Sequence, residues 1–148
     1  EEPNIENLNS LLDDFLKNYK KTGYTQLALL EKANLDAKLK NYDEALYNFN
    51  ELIMLTDGAR DNKIFNKISR VSASRILLSL ERYDEALSMI EKYSLGDTNA
   101  PIHELAGDIL FKQGKVNLAI NQYEAAEEKY TDQTSKSIIS MKIASISN

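Results

Sequence analysis

Apolar residues recur along most of the chain at intervals of three and four, the spacing that places them on one face of an α-helix. Short polar segments rich in asparagine, aspartate or glycine, which favour turns, lie between these stretches. We count eight helical stretches and find no stretch with the strict alternation of a half-buried β-strand. The pattern predicts an all-α fold of eight helices.

A short motif recurs within this pattern. Tyr-Asp-Glu-Ala-Leu occurs twice and a degenerate third copy, Val-Asn-Leu-Ala-Ile, follows: residues 42–46, 83–87 and 116–120. In each copy the alanine precedes a large side chain by four positions, so both lie on one helical face where two backbones can approach closely. A pair of antiparallel helices in a unit of roughly 34 residues is typical of the tetratricopeptide repeat.

The three motif copies predict helical hairpins at about 26–57, 67–94 and 100–130. Apolar stripes outside them predict an N-terminal helix at about 5–21 and a C-terminal helix at about 134–146. Such flanking helices would cover the apolar faces of the terminal repeats. We therefore expect residues 1–148 to form a single domain, an α-solenoid of about three tetratricopeptide-like hairpins with flanking capping helices.

The turns of the three hairpins differ in sequence. The third has Gly114, whereas the first two have Lys40 and Glu81 at the matching position. The first two motif copies start 41 residues apart, which leaves about seven extra residues between the first two repeats. Turn-forming residues fill that place, at 56–62, and Asp61 or Asn62 is suited to cap the next helix. Further on, Gly96 is suited to end a helix.

Composition and charge exclude several classes of protein. The 148 residues are 43% apolar and 28% charged, which predicts a packed core. The net charge is −5 and the basic residues alternate with carboxylates, so the electrostatic signature of nucleic-acid binding is missing. The chain contains no cysteine, which excludes disulfides and thiolate metal sites.

The sequence offers little for catalysis. The one histidine, His103, falls where tetratricopeptide units place a packing residue, and we expect it to pack or to lie on the surface. Adjacent carboxylate pairs such as Asp43 and Glu44 diverge by about 100° on a helix and cannot converge on one metal or proton. We therefore expect no enzyme, no cofactor and no metal site.

The order of several motifs is similar to that of the YfgM-like family, the ancillary subunits of the bacterial SecYEG translocon. These motifs are residues 83–87, Glu-Leu-Ala-Gly-Asp-Ile at 104–109, Gly114, and Met-Lys-Ile at 141–143. The likeness runs from about Tyr24 to Ile146. Arg70 and Arg75 also match positions of that family, whereas Ser72 stands in place of its middle arginine.

The resemblance implies a location and a set of partners. Members have a short cytoplasmic tail, one transmembrane helix and a periplasmic repeat domain, and this chain would be the last of these parts. The chain begins at Glu1 rather than methionine, which predicts a processed or shortened chain from which a signal peptide or a membrane anchor was removed. The implied place is the periplasmic side of the bacterial inner membrane. The implied partners are translocon subunits, periplasmic chaperones and a membrane-anchored prolyl isomerase.

In this repeat the first helix of each unit lines an inner groove. The residues predicted to face that groove are Asn34, Lys38, Arg75, Glu104, Asp108, Phe111 and Lys112. Their mixed charge and apolar steps suit a polypeptide better than a polyanion. Asp108 has an alternative interpretation, a structural ion pair with Arg75 inside the array.

Two other functions stay open. The first is a soluble adaptor or cochaperone, cytosolic or periplasmic, that grips a peptide segment of its partner. A clamp for an acidic C-terminal peptide needs basic or amide donors at five groove positions, but the chain has Leu30, Asn34, Ser72, Pro101 and Leu105 there. The second is an enzyme or regulatory subunit whose site is completed by a partner. The sequence leaves the oligomeric state undecided.

Overall fold

The computed structural model describes residues 5–19, 22–58, 61–93 and 99–147. In this part of the chain eight α-helices follow one another and no strand is present. The helices are α1 (Ile5–Tyr19), α2 (Gly23–Lys38), α3 (Tyr42–Leu55), α4 (Lys63–Ser79), α5 (Tyr83–Ile90), α6 (Ala100–Lys112), α7 (Val116–Lys129) and α8 (Gln133–Ile146). The predicted all-α fold class is therefore confirmed.

The chain divides into two compact units, an N-terminal unit, Glu1–Ile76, and a C-terminal unit, Leu77–Asn148. In the N-terminal unit α1 packs on α2, and α2 forms a hairpin with α3. In the C-terminal unit α5 packs on α6, α6 forms a hairpin with α7, and α8 packs on α7. A short 3₁₀ turn, Glu91–Tyr93, extends α5, and Gly96 lies outside the described residues.

The motif alanines and the large side chains that follow them are buried, as their spacing predicts. Each of these residues is at most 2% exposed: Ala45 and Phe49, Ala86 and Ile90, Ala119 and Tyr123. The alanines let a neighbouring helix approach closely, and the large side chains fill the space beyond them. These pairs place the core of each hairpin on the face that carries the motif.

The three hairpin turns share one backbone conformation. Lys40, Glu81 and Gly114 all adopt the left-handed region, with φ of 63°, 60° and 76°. In every case the following backbone N–H donates to a helix carbonyl five positions back at 2.9 Å: Asn41 to Asp36, Arg82 to Leu77, and Lys115 to Leu110. This bond pattern closes the end of a helix. It requires one residue in the left-handed backbone conformation, which only glycine adopts without steric cost.

Polar side chains set where three helices begin. The Thr22 hydroxyl accepts the backbone N–H of Thr25 at 3.3 Å, so α2 begins at Gly23. Asn62 Oδ1 accepts the N–H of Phe65 at 3.1 Å and forms the cap predicted for this segment. The Asp132 carboxylate accepts the N–H of Ser135 at 2.8 Å ahead of α8, and this bond lowers the pKa of Asp132.

The flanking helices bury only part of their apolar stripes. On α8, Ile139 is fully buried and Ile143 packs against the same core cluster, but Ile138 and Met141 are 47% and 71% exposed. On α1, Leu12 is 6% exposed, whereas Leu11 and Phe15 are 57% and 40% exposed. Both helices thus cover a neighbour with one edge and leave further apolar side chains on the surface.

Candidate partner-binding surfaces

The predicted groove residues of the N-terminal unit are accessible. Asn34 and Lys38 lie one turn apart on α2, and Arg75 lies near the end of α4, all with exposed side chains. The four-residue separation of Asn34 and Lys38 puts them on one helical face. These three side chains can reach another molecule without a change in the fold.

The predicted residues of the C-terminal unit, all on α6, divide into two groups. Phe111, at 41% exposure, and Lys112 are exposed at the end of the helix. Asp108 and Glu104 are half-buried one and two turns earlier, and both are held by hydrogen bonds within the unit. The first group is free for contact with a partner, whereas the second has a structural task.

The two carboxylates belong to a carboxylate network formed by Glu104, Asp108, Tyr123, Tyr130 and Lys142. Lys142 of α8 donates to Glu104 Oε1 at 2.8 Å and to Asp108 Oδ1 at 2.7 Å. Tyr123 donates its hydroxyl to Asp108 at 2.7 Å, and Tyr130 donates to Glu104 at 2.6 Å. The network therefore fastens α8 to α6. It does so through Glu104 and Asp108, which the sequence pattern predicts to contact a partner.

The pKa values of two members of the network, Tyr123 and Lys142, are shifted in the direction that favours its hydrogen bonds. Burial is the main cause of the raised pKa of Tyr123, and its hydrogen bond to Asp108 raises it further. Burial by itself lowers the pKa of Lys142, but its hydrogen bonds to Asp108 and Glu104 outweigh that effect and raise it. Both shifts favour the neutral phenol of Tyr123 and the charged ammonium of Lys142.

His103 has a packing position, as its place in the repeat predicts. It is 6% exposed, and its Nδ1 lies 2.9 Å from Gln122 Oε1 across the α6–α7 hairpin. In the described part of the chain no group of three histidine or acidic side chains is placed to hold a metal ion. Nor is any described helix long and apolar enough to cross a membrane.

A buried ion pair in the N-terminal unit was not predicted. Lys32 and Asp36 are 4% and 1% exposed, and the lysine donates directly to the carboxylate. Asn48 of α3 donates to the same carboxylate at 3.1 Å. The spacing of four between lysine and aspartate was the available signal, but that spacing is more common on exposed helix faces.

A second polar cluster holds the extra residues between α3 and α4. Asn66, at 1% exposure, donates its amide to the carbonyl of Ile53 and to the hydroxyl of Thr56, both at 3.2 Å. Arg70 donates to Asn66 at 3.1 Å and to Asp57 at 3.4 Å. Arg70, one of the positions that matched the YfgM-like family, is therefore used inside the unit.

Successive helical hairpins with a small residue at the close helix contact are typical of the tetratricopeptide class of interaction domain. Residues 1–148 match the model of the tetratricopeptide repeat-like domain family. The chain belongs to this family.

Two known proteins are similar to this chain. The ancillary SecYEG translocon subunit of Aggregatibacter actinomycetemcomitans is 27% identical over 116 residues, 78% of this chain and 55% of the relative, so the chain spans about half the relative's length. This likeness confirms the resemblance to the YfgM-like family. The N-terminal domain of stress-induced protein-1 from C. elegans superposes with a TM-score of 0.65 over 83% of this chain and 94% of that domain, at 16% identity. The second likeness supports the fold alone.

Proposed function

We propose that this chain is the periplasmic interaction domain of an ancillary Sec translocon subunit anchored in the bacterial inner membrane. In this role it binds other proteins, catalyses no reaction, and links translocation to periplasmic chaperones or a prolyl isomerase. The likeness to the translocon relative over most of the chain is the observation that carries the proposal. The family supports it because stacked helical hairpins present extended surfaces for protein partners.

The conspicuous titratable groups support a non-catalytic role because they serve the fold. His103 bonds to Gln122 inside a hairpin, and the Lys32–Asp36 pair is buried beside Asn48. Glu104 and Asp108 hold Lys142. Catalytic groups need access to a substrate, which the buried side chains of His103, Lys32 and Asp36 lack.

The proposed contacts are the exposed members of the predicted set: Asn34, Lys38, Arg75, Phe111 and Lys112. Phe111 offers an apolar anchor, and the cationic side chains offer charge-assisted hydrogen bonds. Glu104 and Asp108 lie on α6 with Phe111 and Lys112, and a partner that contacts these carboxylates has to share them with Lys142.

Photo-crosslinking in cells tests this role. Benzoylphenylalanine is introduced singly at Arg75 or Phe111 of the full-length gene product, with exposed Met54 of α3 as the matched control position. We expect crosslinks to translocon subunits and periplasmic chaperones from the first two positions and much weaker ones from the control. Crosslinks confined to cytosolic proteins would contradict the proposed location. Equal crosslinking from Met54 would contradict the proposed surface.

The cytosolic peptide clamp is disfavoured by burial. Two of its five donor positions carry Leu30 and Leu105, which are 7% and 5% exposed and have no polar side-chain atoms. We expect titration calorimetry with an acidic C-terminal peptide to give no binding heat. Micromolar binding would favour the clamp instead.

A further inference from the structure

Two cavities in the N-terminal unit meet at Leu12 and Lys32. One, of about 390 Å³, lies between α1 and α2 and is lined by Leu11, Leu12, Phe15, Ala28, Glu31, Lys32 and Leu35. The other, of about 450 Å³, is lined by Leu12, Asp13, Lys32, Asp43, Glu44, Tyr47 and Asn48. Because they share two lining residues, the two cavities are adjacent, and we call them together the α1 groove.

The floor of the α1 groove is apolar and partly uncovered. Leu11 and Phe15 lie one turn apart on α1 and are 57% and 40% exposed. The Phe15 ring also contacts the exposed ring of Tyr19, with 6.0 Å between ring centres, which extends the apolar surface along the helix. A contiguous apolar patch of this kind on a small domain is typical of a docking surface.

The rim of the α1 groove carries one sign of charge. Among the described lining residues, those that are both charged and exposed are all carboxylates: Asp13, Glu31, Asp43 and Glu44. The lysine in the lining, Lys32, is 4% exposed and bonded to Asp36. The described lining therefore carries a net negative charge, since its one cation is paired with a carboxylate.

We propose that the α1 groove binds an amphipathic segment of another protein whose large apolar side chains are flanked by lysine or arginine. The apolar floor would take up the apolar face, and the carboxylate rim would attract the flanking cations. The inference rests on the proposed interaction role and names the chemistry of one partner. The rim disfavours a second copy of the chain or an anionic lipid surface, because either would bring like charges together.

The test uses two synthetic peptides and the 148-residue chain. One is a fluorescein-labelled amphipathic helix of leucine and lysine, and its twin carries glutamate at every lysine position. We expect the lysine peptide to bind about tenfold more tightly than its twin, and its affinity to fall as salt is raised. Fluorescence anisotropy measures both affinities.

Single substitutions locate the binding. Leu11→Ser and Glu31→Lys change exposed side chains of the groove, and each should weaken the lysine peptide about five- to tenfold. The matched controls are Met54→Ser on α3 and Glu124→Lys on α7, both exposed, and neither should change the affinity. Circular dichroism checks whether all four variants remain helical.

Several results would overturn the inference: equal affinity for the two peptides, binding unaffected by Leu11→Ser and Glu31→Lys, or self-association that these substitutions abolish. Failure here can be separated from failure of the proposed function. If crosslinks from Arg75 persist but the peptides do not bind, the α1 groove is contradicted as a binding site and the translocon role stands. If the lysine peptide binds but those crosslinks are missing, the translocon role is contradicted and the α1 groove stands as a binding site.

Discussion

Gly107 of α6 lies directly against the ring of Tyr123 of α7, so closely that a β-carbon on Gly107 would sit 2.5 Å from the ring atom Cε1. The same tyrosine donates its hydroxyl to Asp108 at 2.7 Å. One glycine therefore allows a close helix–helix contact and also places a member of the carboxylate network. Gly107 therefore permits the close packing of α6 against α7.

Replacing Gly107 by alanine should displace the Tyr123 ring and lengthen its bond to Asp108. We expect a loss of about 1–3 kcal/mol in the free energy of unfolding, because the core has no room for the methyl group. Urea denaturation followed by circular dichroism measures it. Gly23→Ala is the matched control, since no atom lies within 4 Å of its added β-carbon. A similar loss in both variants would contradict this explanation.

Lys40 and Glu81 pay a steric cost that Gly114 avoids at the same turn position. Lys40→Gly and Glu81→Gly should each stabilise the chain by about 0.5–1 kcal/mol, and Gly114→Ala should destabilise it by about 1 kcal/mol. Glu124→Gly controls for chain flexibility, because Glu124 is an exposed residue inside α7 and should lose stability with glycine. If glycine destabilises the chain at both Lys40 and Glu81, the explanation by steric strain is contradicted. Equilibrium denaturation reports every change.

Asn66 satisfies buried polar groups at the end of α3. In Asn66→Ala the Ile53 carbonyl and the Thr56 hydroxyl lose a donor, so we expect a loss of about 1–3 kcal/mol in the free energy of unfolding. Hydrogen exchange should also quicken at the first amides of α4. Asn50→Ala on the exposed face of α3 should change neither measurement. Equal effects of the two substitutions would show that Asn66 has no special role.

The carboxylate network should make stability depend on alkaline pH. The pKa of Lys142 is raised above its ordinary 10.5, and that of Tyr123 above its ordinary 10.0. When the folded-state pKa is the higher one, the stabilisation is complete below the unfolded-state pKa and is lost as the pH rises through the folded-state value. The contribution of both groups is thus constant at neutral pH and declines above about pH 10.

Lys142→Met tests that dependence. The variant should be about 1–3 kcal/mol less stable than the wild type at pH 7, and the difference should shrink as the pH rises above about 10. Lys142→Arg should keep its charge to higher pH and preserve more of the stabilisation there. Thermal melts across the pH range give the comparison. A difference that stays constant up to pH 11 would exclude titration of Lys142 as its cause.

The sequence predicted those parts of the fold that depend on local spacing. Ala45 and Phe49, like their counterparts in the other motif copies, are buried because their separation matches the helix period. His103 was expected to pack or to lie on the surface for its place in the repeat, and it is buried. Residue type and position ahead of an apolar stripe limited the cap of α4 to Asp61 or Asn62, and the structure shows that Asn62 forms it.

Features that depend on distant contacts were not predicted. Lys142 pairs with Glu104 and Asp108, which lie 38 and 34 residues away in sequence, and no local pattern connects them. The burial of Lys32 and Asp36 depends likewise on Asn48 of the next helix. Helix periodicity identifies the inward face of each helix, but it does not specify which charged group on one helix meets which group on another.

The attachment of α8 has a practical consequence for fragments and fusion proteins. A version cut after Lys129, the last residue of α7, would keep the hairpin but remove the cation shared by Glu104 and Asp108. It would also expose the core that Ile139 covers. Affinity tags and fusion partners should therefore be joined beyond Ile146, where α8 ends, so that the whole helix is retained.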